Sequence, residues 1–329
     1  MTRYLLKRLG GALLVLFVLS VVIYALFYLA PGDPARLACG ERCSTQQVAQ
    51  VRERLGLGDS VVTQYVRFLR GIVAGRDYST GTAVLHCDAP CLGFSYKTDQ
   101  QVTRLILERV PATLSLALGA MVIWLVIGVG TGLLSALRRG GVTERALTVL
   151  TLAGTGTPVF VLGLLLLMVV CAYLRWLPFP SYVPLSDDPE QWAWNMLLPW
   201  LTLGLFESAK YARLTRSSTL ETLAEDHIRT FRAYGVGERA VVGRHALRGA
   251  VPPVIALSAN DLGTVVGGAV LTETLFGIPG IGRTLVDAVR LVDVPVVVGV
   301  VLVTGTAVVL ANVVADLLYA AADRRVALL

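Results

Sequence analysis

Six stretches of this chain meet or approach the length and apolarity needed to cross a bilayer, and that requirement constrains the fold more than any other feature. They are Leu9–Ala30, Ala112–Leu137, Ala146–Leu174, Leu197–Arg213, Pro252–Leu275 and Val294–Ala321. Crossing the hydrocarbon core takes about 20 apolar residues in a helix. Within lipid, backbone polar groups must be satisfied internally, so only helices and closed barrels span. Leu197–Arg213 is the marginal stretch, being short and carrying Glu207 and Lys210. With 55% of its 329 residues hydrophobic and 16% charged, the chain has too little polar surface for a soluble domain. The expected fold class is all-α: a polytopic membrane protein with six transmembrane helices and a small helical segment after the first.

The net charge is +6, and its placement beside apolar spans reads as topology rather than nucleic-acid binding. Arg3, Lys7 and Arg8 precede the first span, Arg138, Arg139 and Arg145 join the second to the third, and Arg324 and Arg325 follow the sixth. The connection after the third span has Arg175 against Asp187, Asp188 and Glu190. Short basic flanks stay cytoplasmic. Both termini, the 138–145 connection and the 213–250 loop are therefore expected inside a plasma membrane, with 31–111, 175–196 and 276–293 outside. The apolar run of 1–30 exceeds the usual core of a cleaved signal peptide, about 7–15 residues, so it is read as a retained first span. The domain reading is 1–30, then a cap segment 31–111, a five-helix core 112–321 and a tail 322–329.

The cap segment carries helical signals. Ser44 with Gln47 forms a capping box ahead of Val48, Val51 and Leu55. Val61–Ile72 reads as a second amphipathic helix, and Gln101–Val110 as a third, stopped by Pro111. Cys39, Cys43, Cys87 and Cys91 form two C-x3-C pairs. Outside the membrane these favour disulfides, with three pairings open, over a four-thiolate metal site. Cys171, within the third span, reads as a small buried hydrophobe.

The 213–250 loop is polar yet helix-periodic. Glu225–Tyr234 fits a helix exposing Glu225, Arg229 and Arg232. Gly235 supplies a left-handed turn, and Gly237–Leu247 restarts a helix before Pro252 and Pro253 open the fifth span. The sequences RTFRAYG (Arg229–Gly235) and RHALRGAVPP (Arg244–Pro253) resemble the cytoplasmic loop of ABC importer permeases of the dipeptide/oligopeptide/nickel branch. So do Pro31–Pro34 (PGDP), Leu55-Gly56-Leu57 with Gln64-Tyr65, Glu108–Leu118 and Gly267–Gly282, with Asn312, Asp316 and Asp323-Arg324. Phe231 and Tyr234 stand where that branch commonly has Ala and Lys, and the region 81–92 resembles an insertion. The resemblance implies that Arg229, Thr230, Phe231, Arg232, Ala233, Tyr234 and Gly235 form a coupling helix seated on an ATPase subunit. It also implies a second homologous permease, two ATP-binding subunits, an external solute-binding protein, a peptide substrate and alternating access.

Polar residues inside spans mark pathways or helix–helix contacts. Glu207, Asn260, Asp261 and Glu273 are the pathway candidates; Glu207 and Lys210, at i,i+3, are placed to neutralise each other. Asn312 and Asp316 read as packing. Gly128, Gly130, Gly132 and the pair Gly263 and Gly267 allow close helix approach, and Pro158 and Pro199 are candidate kinks. There is no G-x4-G-K-[ST] loop, no metal-ligand spacing among His86, His227 and His245, and no G-x-S-x-G or H-E-x-x-H arrangement. The chain is thus expected to be no enzyme and to hold no cofactor, with ATP and Mg in partner subunits. A nickel or glutathione importer permease remains open within the family. The alternative outside it is a self-sufficient transporter with Asp261 or Glu207 as proton site.

Overall fold

The computed structural model describes residues 2–29, 35–36, 44–46, 48–49, 52, 58–79, 84–95 and 97–322. Cys39, Cys43, Gln47, Pro31–Pro34, Leu55–Leu57, 81–83 and the tail 323–329 lie outside the described residues. The chain is mostly helical. Among the described residues, four helical stretches are long and apolar enough to span a membrane: Arg8–Ala25, Val102–Leu137, Glu238–Val266 and Val294–Leu318. The other two expected spans correspond to a shorter apolar helix, Val159–Tyr173, and to a 36-residue helix carrying several charges.

The helices are α1 (Thr2–Leu29), α2 (Val61–Ala74), α3 (Val102–Leu137), α4 (Val142–Gly156) and α5 (Val159–Leu166), the last continuing as a π-wound turn to Tyr173. Then come α6 (Pro189–Ala224), α7 (Asp226–Ala233), α8 (Glu238–Ala240), α9 (Leu247–Val266), α10 (Val270–Phe276), α11 (Ile281–Arg290) and α12 (Val294–Ala322). Residues 241–246, again π-wound, join α8 to α9.

Several boundaries differ from the sequence expectation, and proline accounts for most of them. Pro111 does not stop a helix; α3 runs through it. A proline removes one donor, and apolar helical sequence on both sides keeps the turn wound, as membrane helices tolerate. Pro252 and Pro253 likewise sit inside α9 rather than opening it, while Pro199 lies within the unbroken α6. Pro158 does interrupt: it adopts extended backbone (ψ 139°) at the start of α5 and divides the expected third span. α6 begins where Asp188 accepts from the Glu190 and Gln191 N–H groups, both at 3.0 Å, a side-chain cap followed by Pro at the first helical position.

The all-helical expectation needs one correction. Strands β1 (Arg76–Ser79) and β2 (Val84–Cys87) form an antiparallel pair with Arg76 opposite Cys87, and β3 (Phe94–Ser95) pairs with β4 (Gln100–Gln101). Four-residue and two-residue strands are too short to display period-two alternation.

The chain divides into two units, one comprising 112–278 and 310–329, the other 2–111 and 279–309. The first is centred on Leu116, Trp124, Met196, Leu198 and Tyr211, with Val254 and Phe276. Close approach there depends on two of the three predicted glycines: a Cβ on Gly128 would lie 2.5 Å from the Tyr211 side chain, and one on Gly132 2.5 Å from the Ala212 carbonyl. A Cβ on Gly130 would meet nothing within 4 Å among the described residues. The second unit packs Val102 and Ile106 of α3 against Ile281 and Ala288 of α11 and Val296 and Val300 of α12. Its α1 is tied to α2 by Ser20 and Tyr65 hydroxyls 2.7 Å apart, with Tyr24 edge-on to the Tyr65 ring.

Cys87 and Cys91 are joined by a disulfide, settling one pairing within the second C-x3-C, and Cys171 is a buried free thiol as expected. The cross-link spans a sequence separation of 4, and closing so short a loop removes about 2 kcal/mol of unfolded-chain freedom. Cys87→Ala with Cys91→Ala is expected to lower the opening free energy of the β1–β2 amides by that amount in hydrogen exchange. Unchanged protection would mean that the hairpin is held without the cross-link.

Candidate functional site

The polar loop resolves into a helix extension, a turn and a short helix. α6 has 36 residues, about 54 Å of helix against a hydrocarbon core of about 30 Å. It is therefore long enough to span and still project. At Glu225 the backbone becomes extended (ψ 149°) and α7 begins, with Asp226 in its first turn and Arg232 in its last, both placed favourably for the helix dipole. Ile228 is fully buried beneath α7, as are Val241 and Ala246 beneath the returning segment.

The end of α7 is fixed by backbone geometry. The Val236 N–H donates to the Phe231 carbonyl at 3.1 Å and the Gly235 N–H to the Arg232 carbonyl at 3.0 Å, while Gly235 has φ +76°. This is the paired bonding of a Schellman cap, whose left-handed position suits glycine. Arg232 then reaches across the turn to both oxygens of Glu238, at 3.1 and 2.6 Å, and holds the Glu238 carboxyl below its ordinary pKa. Phe231 stacks on His245 at 4.1 Å between ring centroids, with His227 edge-on to Phe231 at 6.1 Å. The face left exposed carries Arg229, Thr230, Arg232, Ala233 and Tyr234, with Tyr234 83% exposed. Near the base of this projection Arg216 of α6 binds Glu144 of α4. The Gly140 N–H first, and Arg216 with it, keep the Glu144 carboxyl below its usual range.

A second polar group lies in the core of the first unit. Lys210 Nζ sits 2.6 Å from Glu207 Oε2 and 2.9 Å from Asp261 Oδ2. The Tyr211 hydroxyl donates to the same Asp261 oxygen at 2.9 Å, and its ring, fully buried, lies parallel to that of Trp124. The predicted Glu207–Lys210 pair is therefore part of a three-charge cluster joining α6 to α9, with one carboxylate in excess. Asn260, adjacent to Asp261, is exposed. Glu273 lies on α10, after the chain breaks at Gly267 and Gly268. It is completely buried and accepts from the Thr113 hydroxyl at 2.7 Å.

The structure thus joins Glu207 with Asp261 and leaves Asn260 and Glu273 on other faces or elements. Sequence reading missed Tyr211, Thr113 and His245 as partners. Tyr211 had a signal, as a hydroxyl beside Lys210 in an apolar span; Thr113 had none.

With this geometry in hand, residues 1–117 match the family described as binding-protein-dependent transport system membrane component, N-terminal, and residues 128–328 match the binding-protein-dependent transport system inner membrane component. The chain belongs to that family. Over 98% of each chain this permease is 35% identical to a protein of Sinorhizobium fredii named "Probable peptide ABC transporter permease protein". It is also 35% identical to the di/tripeptide transport system permease of Pseudomonas aeruginosa, over 99% of each. A third relative at 35% is the glutathione transport system permease of Escherichia coli, over 98% of this chain and 97% of the other. These matches identify a permease of the peptide branch of ABC importers. Among solved structures, a chain of the inward-facing MetNI methionine ABC transporter superposes with TM-score 0.53 at 18% identity, covering 68% of this permease and 98% of that chain. That likeness concerns the fold alone.

In the permease core, Lys210 is the only cation bonded to Glu207 and Asp261 among the described residues. Lys210→Met would leave two poorly solvated carboxylates facing each other. Because Lys210 is itself 41% exposed, the expected loss of stability is about 2 kcal/mol, below the figure for a fully buried pair. Adding Asp261→Asn should recover part of it. Thermal unfolding in lipid nanodiscs checks both, and an unchanged midpoint in Lys210→Met would contradict the cluster.

Proposed function

We propose that this permease is one of two homologous transmembrane subunits of an ATP-driven peptide importer, and that α7 with Gly235 is its docking element for an ATPase. The observation that carries this reading is the exposed face of Arg229, Thr230, Arg232, Ala233 and Tyr234 on a rigidly capped helix at the end of a projecting α6. A channel or carrier acting alone has no use for such a surface.

In this reading the chain crosses a bacterial plasma membrane six times, through α1, α3, the α4–α5 pair, α6, the α8–α9 stretch and α12, with both termini in the cytoplasm. Residues 31–111 form the external cap, 112–321 the five-helix core and 322–329 the tail. Two ATP-binding subunits supply nucleotide and Mg, and an external solute-binding protein delivers substrate. The pathway residues are Glu207, Asn260, Asp261 and Glu273, the surplus carboxylate at Lys210 suiting a peptide ammonium. Peptide is preferred over nickel because relatives at 35% identity over nearly the whole chain are named as peptide permeases.

Movement at α7 has two routes inward. α6 leads from Ala224 back to Lys210, and α9 leads from Leu247 to Asp261, each over about 21 Å of helix. The Phe231–His245 stack joins the outer ends and the Lys210–Asp261 contact joins the inner ones. A displacement of α7 therefore tilts the two helices together rather than bending one. This is the rigid rocking that alternating access needs.

Tagging the chain in its native host and identifying co-purifying proteins tests the reading. A second permease and P-loop ATPases are expected, and deletion of Glu225–Arg239 should release the ATPases. Recovery of the chain alone, transporting without ATP in liposomes, would favour a self-sufficient carrier using the surplus carboxylate. Gly235→Val probes the turn itself. A Cβ there meets nothing within 4 Å among the described residues, so the cost is the left-handed backbone alone, about 1–2 kcal/mol. Insertion should survive while substrate-stimulated ATP hydrolysis falls several-fold; full stimulation would remove Gly235 from the coupling turn.

A further inference from the structure

The second unit contains a cleft that no part of the coupling argument uses. It lies between the first turns of α3, the charged face of α11 and the start of α12, and has a volume of about 550 Å³. Arg109, Arg283 and Arg290 line it, with the Thr98 and Thr284 side chains and the apolar Leu105 and Leu291. Two acids also face it, Asp287 and Asp293, so three cations stand against two anions.

Those acids have local duties. Asp287 lies one turn from Arg283, with Oδ2 3.8 Å from its Nε. Asp293 directly precedes α12, is 3% exposed and accepts from Ser95 Oγ. Burial raises its pKa, while Ser95 and the Val296 N–H act against the shift. It serves as a cap for α12. Arg109 is different: its Nε is buried and has no hydrogen-bond partner among the described residues. The side chain as a whole is half-buried; a shielded N–H without an acceptor is costly, and the planar, forked guanidinium that carries it matches a carboxylate.

The walls are already set. Leu105 and Ile106 of α3 pack with Ile281 and Ala288 of α11 and Val296 of α12 in one buried cluster. Volume and mixed lining match a small-ligand site rather than a flat docking surface.

We propose that this cleft binds the carboxylate of a small peptide, with the half-buried Arg109 as the anchor and Arg283 and Arg290 beside it. Naming a peptide, and placing the cleft on the outer face, rests on the importer reading above.

The test is equilibrium binding to the full chain in neutral-lipid nanodiscs, using acetyl-dialanine and its C-terminal amide as probes. The free acid should bind, the amide at least about tenfold more weakly, and Arg109→Gln should weaken the acid by a similar factor, the loss of one charge-assisted pair. Arg109→Lys should recover only part, since one ammonium cannot reproduce the fork. Arg283→Gln, at the rim, is the second variant should Arg109→Gln fail to give a monodisperse protein. Equal binding of acid and amide, or no binding of either, overturns the proposal. Absence of dipeptide binding together with weaker capture of the solute-binding protein by Arg109→Gln overturns it in favour of a protein carboxylate. Because no ATPase takes part, a failure here leaves the coupling assignment standing. Conversely, binding that persists after deletion of Glu225–Arg239 fails to release the ATPases separates the two the other way.

Discussion

A half-exposed lysine held between two largely buried carboxylates at the edge of an apolar core is the interaction on which the first unit depends. Charges in such surroundings are tolerated only when paired and hydrogen-bonded, and here one ammonium serves Glu207 and Asp261 while Tyr211 donates to Asp261. The cluster fixes the register of α6 against α9, because sliding either helix by one residue would separate opposite charges within the core. The glycines reinforce the constraint. Gly128 and Gly132 let α3 approach the stretch of α6 that carries Tyr211 and Ala212, so the side chain that holds Asp261 is itself held by a neighbouring helix.

Outside that core, the same two helices are joined again by different chemistry. The Schellman cap at Gly235, the Arg232–Glu238 fork and the Phe231–His245 stack fold the connection between α6 and α9 into a compact hairpin of short helices. Phe231 is instructive: against the pattern of the branch it replaces a small residue, and its ring is used inward, against His245, rather than on the exposed face. The bulk added by Phe231 therefore stiffens the element, while the bulk added by Tyr234 changes its exposed surface.

Much of this was legible before any coordinates. Apolar length marks the membrane helices, and a helical period ending at a glycine marks α7 and its left-handed cap. The rules that failed were those learned from proteins in water. In water, proline at Pro111, Pro252 and Pro253 signals a helix boundary, whereas long apolar helices absorb it. Strands β1 to β4 are too short to carry a periodic signal. Asp261 is legible as a polar residue within a span, but its pairing with Lys210 is not: the two are some fifty residues apart in sequence, and only packing brings them together. The same holds for Arg109, which a linear reading assigns to a helix end and the fold turns toward a cleft.

The claim that organises this account is that the α7 surface faces a nucleotide-hydrolysing partner. A photo-crosslinking residue at position 234, where the native side chain is 83% exposed, tests it most directly, with position 73 on α2, 80% exposed, as the comparison. In membranes of the native host, position 234 should crosslink to P-loop ATPase subunits with a yield that changes when ATP is added, and position 73 should not. Crosslinks from position 234 to lipid alone, or to a protein on the external side of the membrane, would contradict the account.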